Sequence, residues 1–196
     1  MAVTVVRYIR VQMEPDQAYF ERIPWCAELL KDPEIVITAA DAREYKDNSE
    51  GVFFGKTLKT DDTVRACLTF YKRPASSPPT AVKEVNTLLS LNYGLNGMPH
   101  VAHGGLVATI VDEVMGILLA SFNESIGYIA SPIATADLTV TYLKPVATPQ
   151  TVLVRARLRE ARGRKYVTES TVEDSSGTVL AKAKALWIEL RTSEKL

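Results

Sequence analysis

The chain has 196 residues, 46% of them hydrophobic and 23% charged, with 23 Lys and Arg against 23 Asp and Glu. Such a composition supports a globular core and excludes a disordered or fibrous chain, while zero net charge argues against nucleic acid as the partner, because phosphate binding needs a basic surface. The two cysteines, Cys26 and Cys67, stand apart without a C-x-x-C pair, as expected of idle thiols in a reducing compartment such as the cytoplasm.

Arg7 and Arg10 fall where a secretory signal needs an apolar run, so an N-terminal strand or loose arm is expected, although no acidic residue precedes Glu14, which leaves a mitochondrial address open. At the other end Glu194 occupies the small-residue position of a peroxisomal tripeptide, so that reading is set aside. Residues 1–60 are expected to form an N-terminal extension packed on a core domain at 61–196. Within the extension, Pro15-Asp16 opens a helical stretch, and Pro24 starts a second short helix that Pro33 ends. Trp25, Leu29 and Leu30 give this second helix an apolar face for packing. Residues 41–50 are polar and predict a loop.

Val64, Ala66, Leu68 and Phe70 alternate along a strand at 64–71, and a second strand covers part of 84–91. The Pro/Ser-rich stretch between them is a surface connection. From about Gly105 to Ala120 the periodicity is helical and apolar on almost every side, so the helix must be wrapped by other structure. Asp112 and Glu113 interrupt it, which favours a buried core helix over a membrane span. Four strands follow, at about 134–143, 151–160, 165–173 and 178–190, joined by tight turns. In the first, Ala134, Ala136, Leu138, Val140 and Tyr142 are expected on one face, with Thr135, Asp137, Thr139 and Thr141 on the other. Together these elements predict an α+β fold, a curled antiparallel sheet around one long central helix.

The chemistry concentrates at residues 99–116. G-x-S-x-G, P-loop, G-x-G-x-x-G and H-E-x-x-H motifs are all absent, and the two histidines, His100 and His103, have no cysteine near them in sequence, so neither a metal nor a redox cofactor is implied. His103-Gly104-Gly105 stands where the helix begins. Its first-turn N–H groups lack intrahelical partners and lie at the positive end of the dipole, a ready oxyanion hole, although the glycines have an equally good reading as a site of close packing. Asp112 in an apolar helix costs free energy unless paired or used, and burial should raise its pKa, as suits a general base. Glu113 lies about 100° around the helix, so one of the two carboxylates can point outward.

His-Gly-Gly, then Ala108-Thr109-Ile110-Val111-Asp112, then a strand TADLTVTYLKP with its T-A-D and Y-x-x-P, resemble the hotdog-fold acyl-CoA thioesterases of the 4-hydroxybenzoyl-CoA thioesterase-like superfamily. The likeness covers about residues 64–191, and the extension matches fungal-type members. This resemblance implies a hotdog fold and hydrolysis of an acyl thioester of coenzyme A or an acyl carrier protein, in fatty acid or polyketide metabolism. It also implies a polarising backbone N–H at Gly104, a general base or nucleophile at Asp112 and a water-orienting hydroxyl at Thr135. His103, Gly105, Asn96 and Glu113 fall in supporting positions. Arg162, Arg164 and Lys165, in a cation-rich turn, are candidates for coenzyme A phosphates. Arg155, Arg157 and Arg159 alternate along one strand and have a plainer reading as a ladder with Glu169 or Glu173. Two other readings stay open, a non-catalytic acyl-thioester-binding protein and a hotdog enoyl-thioester hydratase or dehydratase.

Geometry adds an expectation of its own. Gly104 and Asp112 are eight residues apart, about 12 Å along one helix, too far for both to serve one carbonyl. The site is therefore expected to be shared between two chains of a homodimer, with neither nucleic acid nor membrane as partner.

Overall fold

A computed structural model describes residues 14–38, 43, 48–73, 81–128 and 130–191. The expectations for the first residues and for the C-terminal tripeptide lie outside them, as does most of the predicted loop at 41–50. Two short helices, α1 (Glu14–Glu21) and α2 (Pro24–Leu30), precede strands β1 (Ile35–Thr38), β2 (Val64–Lys72) and β3 (Glu84–Leu91). A small hairpin of β4 (Asn96–Met98) and β5 (Val101–Ala102) leads into helix α3 (Gly104–Ser125). Then come β6 (Ile133–Tyr142), β7 (Gln150–Arg162), β8 (Lys165–Glu173) and β9 (Val179–Glu189).

Seven strands make one antiparallel sheet in the order β1-β2-β3-β7-β8-β9-β6. The sheet curls around α3, which is the hotdog architecture. Leu106, Val107, Ile110, Val111, Val114, Met115, Leu118 and Leu119 of α3 are all buried in that concavity. Each such side chain taken out of water contributes about 1.5–3 kcal/mol, so this helix is the core of the molecule. It is apolar and long enough to cross a bilayer, yet it is already covered by protein on its buried side. α3 also runs five residues beyond the predicted Ala120, continuing through buried Asn123 before Gly127 turns the chain at φ +68°.

A second apolar cluster lies on the back of the sheet, where Phe20 and Cys26 from α1 and α2 pack on Ala66, Leu68, Phe70, Leu88 and Leu153. The extension is tied down by polar contacts as well. The amide of Cys67 donates to the Asp16 carboxylate at 3.1 Å, and the Tyr19 hydroxyl meets Ser90 Oγ at 2.9 Å. β1 is not among the predicted elements. It pairs with β2 from Ile35 against Lys72 to Thr38 against Thr69, so the stretch before residue 60 supplies a strand as well as helices.

One expectation about β6 is corrected. Strict alternation sets Thr135 opposite Leu138 and Val140, but Thr135 pairs with Trp187 and Asp137 with the adjacent Leu186, so Ala136 is an extra, bulged residue. The bulge resets the pleat. Ile133 and Thr135 on one side of it, and Leu138, Val140 and Tyr142 on the other, all face α3.

Candidate active site

The start of α3 is built by its neighbours. The amide of His103 donates to the Leu95 carbonyl at 2.8 Å, fastening the helix to the β4–β5 hairpin. Gly97 in that hairpin lies flush on His103: a Cβ there would stand 2.9 Å from the His103 Cα, so only glycine fits. His103 is the N-cap, with extended backbone (φ −62°, ψ 137°) and Nδ1 accepting the Gly105 N–H at 2.9 Å.

The two glycines after His103 differ. At Gly105 a Cβ would press on His103 Nδ1 at 3.0 Å, so glycine there serves the cap. At Gly104 a Cβ would make only ordinary contact, 3.6 Å from the Tyr142 ring, so the packing of this chain does not demand glycine. The Gly104 N–H has no acceptor among the described residues, whereas its carbonyl accepts the Tyr142 hydroxyl at 2.9 Å. A free donor at the positive end of a 22-residue helix, on a residue without a side chain, can be approached closely by an external oxygen.

Two turns further on, Asp112 is half-buried, and the Thr135 hydroxyl donates to its Oδ1 at 2.8 Å. Burial pushes the Asp112 carboxyl above the ordinary aspartate range, and the hydrogen bond from Thr135 pulls part of the way back. The bulge at Ala136 is what makes this contact, because it turns Thr135 towards the helix. Glu113 lies on another side of α3, where burial first and the charge of Asp112 second push it up to about 7. Its carboxylate makes no hydrogen bond among the described residues.

Asn96, in β4, accepts the Thr148 hydroxyl through its side-chain oxygen, so its carboxamide is held against the loop before β7. Tyr142, given no role by the sequence, is the residue that clamps the Gly104 carbonyl. Its signal was its place at the end of the inward row of β6. Among the described residues no three His, Cys, Asp or Glu side chains gather as a metal site requires. The thiols of Cys26 and Cys67 are buried and free, each pushed up to about 12 by desolvation.

The arginine stripe forms a ladder. Arg155 meets Glu84 and Glu173, Arg157 meets Glu84 at 2.7 Å, and Arg159 meets Glu169 at 2.7 Å. The turn at Arg162, Arg164 and Lys165 borders a hollow of about 360 Å³ with Ile188, and Arg164 donates to the Glu189 carbonyl at 2.9 Å. Lys165 pairs with Ile188, which pairs in turn with Ala134, so the turn lies about 10 Å across the sheet from the neighbour of Thr135.

Comparison with known proteins bears on this arrangement. Residues 100–181 match the family model described as the thioesterase superfamily. Verlamelin biosynthesis protein B of Lecanicillium sp is 24% identical over 89% of this chain and 88% of its own length. The rat acyl-coenzyme A thioesterase THEM4 is 32% identical over 59% of this chain, which spans only 47% of that relative. A Streptococcus mutans protein, crystallised bound to acetyl CoA, shares the fold at a TM-score of 0.50 and 20% identity, covering 57% of this chain and 84% of that one.

Proposed function

Residues 100–181 belong to the thioesterase superfamily, and on that premise we propose that the protein hydrolyses an acyl thioester of coenzyme A or of an acyl carrier protein. The observation that carries the reading is the Asp112–Thr135 contact at 2.8 Å, a half-buried carboxylate supported by a hydroxyl, on the same helix whose first N–H is free at Gly104. In the proposed reaction Asp112 takes a proton from water as the water oxygen attacks the thioester carbon. Thr135, donating to Asp112, keeps its lone pairs for a hydrogen of that water and fixes its approach. The carbonyl oxygen gains negative charge and is held by a Gly104 N–H. Collapse of the adduct breaks the C–S bond, and the proton held by Asp112 passes to the departing thiolate.

Because Gly104 and Asp112 of one chain lie about 12 Å apart along α3, the N–H that serves a given Asp112 comes from a second copy, and the working unit is a homodimer with two equivalent sites. Arg162, Arg164 and Lys165, about 10 Å across the sheet from Ala134, are the cations that would meet the phosphates of coenzyme A. Free buried thiols suit a reducing compartment, the cytoplasm or the mitochondrial matrix.

The test is a screen of acyl-CoA esters from acetyl to palmitoyl, with aromatic acyls and carrier-bound acyls included, following thiol release. Steady turnover with at least one member is expected. Binding without turnover would favour an acyl-thioester carrier, and water addition to an enoyl thioester would favour a hydratase.

A further inference from the structure

A cavity of about 540 Å³ begins immediately beyond the Asp112–Thr135 pair. Gly116 is one helical turn from Asp112 and Ile133 two residues from Thr135, and both line it. From there it follows the α3 stripe of Gly116, Ala120 and Asn123, which continues that of Asp112 at spacings of four, four and three, with Trp187 of β9 as the facing wall. Gly116 and Ala120 are the two smallest side chains available, which leaves the groove open where a larger residue on this stripe would fill it. Tyr128 lines the far end, and its hydroxyl donates to both carboxylate oxygens of Glu189 at 3.0 and 3.2 Å. The Ser131 N–H donates to the same carboxylate at 2.9 Å, so Glu189, itself buried, pins the chain after α3 at two points.

We infer that this cavity holds the acyl chain of the substrate, and that Tyr128, latched to Glu189, sets its maximum length. The inference rests on the acyl-thioester reading and deepens it. The stripe from Asp112 to Asn123 spans eleven residues, about 16 Å, and the part from Gly116 onward about 10 Å. An extended alkyl chain advances about 1.3 Å per carbon, from bonds near 1.5 Å, so the room suits an acyl group of about eight to twelve carbons. Leu119, Ala120, Ala130, Ile133 and Trp187 make most of the wall apolar, with Asn123, Glu124 and Ser131 joining it, and an unbranched chain fits a groove that follows one helix stripe.

Each methylene buried changes affinity roughly fourfold, so length preference is a sensitive readout. Ala120→Phe fills the middle of the groove and is expected to lower the ratio of kcat/KM for decanoyl-CoA over butyryl-CoA at least tenfold. Tyr128→Ala opens the end and is expected to raise the ratio for palmitoyl-CoA over decanoyl-CoA at least fivefold. Displacement of a dansyl-labelled fatty acid by decanoic acid, measured on both variants and the unaltered chain, gives a readout independent of turnover. Decanoate binding that weakens at least tenfold in Ala120→Phe supports the pocket even if no thioester is hydrolysed, in which case only the hydrolase reading fails. Hydrolysis whose length profile is the same in all three proteins, or decanoate binding unaffected by Ala120→Phe, overturns the pocket and leaves the hydrolase reading standing.

Discussion

Asp112 and Glu113 are neighbours in sequence, and the two sides of α3 on which they lie behave differently. Both carboxyls are raised by burial, and Glu113 is raised to about 7. Yet Glu113 meets no donor among the described residues, while Asp112 receives a hydroxyl hydrogen bond and lies one helical turn before Gly116, where a mostly apolar cavity begins. A perturbed pKa therefore marks where a charge is uncomfortable, and geometry decides which of two such charges can work on a substrate.

Exchanging each carboxylate for its amide separates the two sides most sharply. Asp112→Asn should lower turnover at least about a hundredfold with the fold intact, the usual scale for loss of a general base, whereas Glu113→Gln should cost less than about tenfold. Steady-state rates on the best acyl-CoA, with circular dichroism to verify folding, decide it, and equal losses would erase the distinction.

The next test moves from one chain to two. Gly104→Val removes close approach to the N–H, and its Cβ meets nothing tighter than the Tyr142 ring, so the protein should fold without activity. Mixed with Asp112→Asn under subunit exchange, half of the dimers are mixed, and each has one intact site of two. About a quarter of the normal activity should then return. No recovery, with mixed dimers verified by mass spectrometry, would place both groups of a site in one chain.

A smaller effect belongs to Thr135. Thr135→Ala should cost about tenfold, because orienting a water contributes less than activating it, and Thr135→Ser should retain most activity through its hydroxyl. If the serine variant is as slow as the alanine variant, the position serves packing alone.

The smallest effect expected is on stability, and it comes from Glu113. Below pH 4.5 its carboxyl is protonated in both folded and unfolded chains. Between 4.5 and about 7 the unfolded chain releases the proton and the native state keeps it, so stability falls as pH rises and levels off above 7. Thermal melts at pH 5 and pH 8 should show the drop in Tm to be about 5–10 °C smaller in Glu113→Gln than in the unaltered chain. Equal drops would mean that the carboxyl is better solvated in the native state than its surroundings indicate.

The parts of this molecule legible in the sequence are those that local patterning determines. Leu106, Val107, Ile110, Val111 and their successors announce a wrapped helix, and the alternating runs after it announce the strands that wrap it. The face of Thr135 was not legible, because one extra residue at Ala136 reverses the alternation and nothing in T-A-D marks it. β1 escaped for another reason. Ile35–Thr38 is four residues long and becomes a strand only through its pairing with β2, some thirty residues away in sequence. The separate duties of Gly104 and Gly105 depend on where the His103 and Tyr142 rings lie, which is a matter of three dimensions. The contact of Tyr128 with Glu189 likewise joins residues 61 positions apart.

The two borders of the sheet have unequal lengths, and this limits how copies of the chain can accumulate. β1 ends one side with only four residues, while β6 offers ten on the other. A sheet with two long free borders can recruit copies at both and grow into a fibre. Here a copy that docks along β6 by two-fold symmetry uses the same long border of each chain, and what remains outside is the short one. Strand addition along β6 would thus be self-terminating at two copies, and the residue that brings Thr135 to Asp112 lies on the very strand that would close the pair.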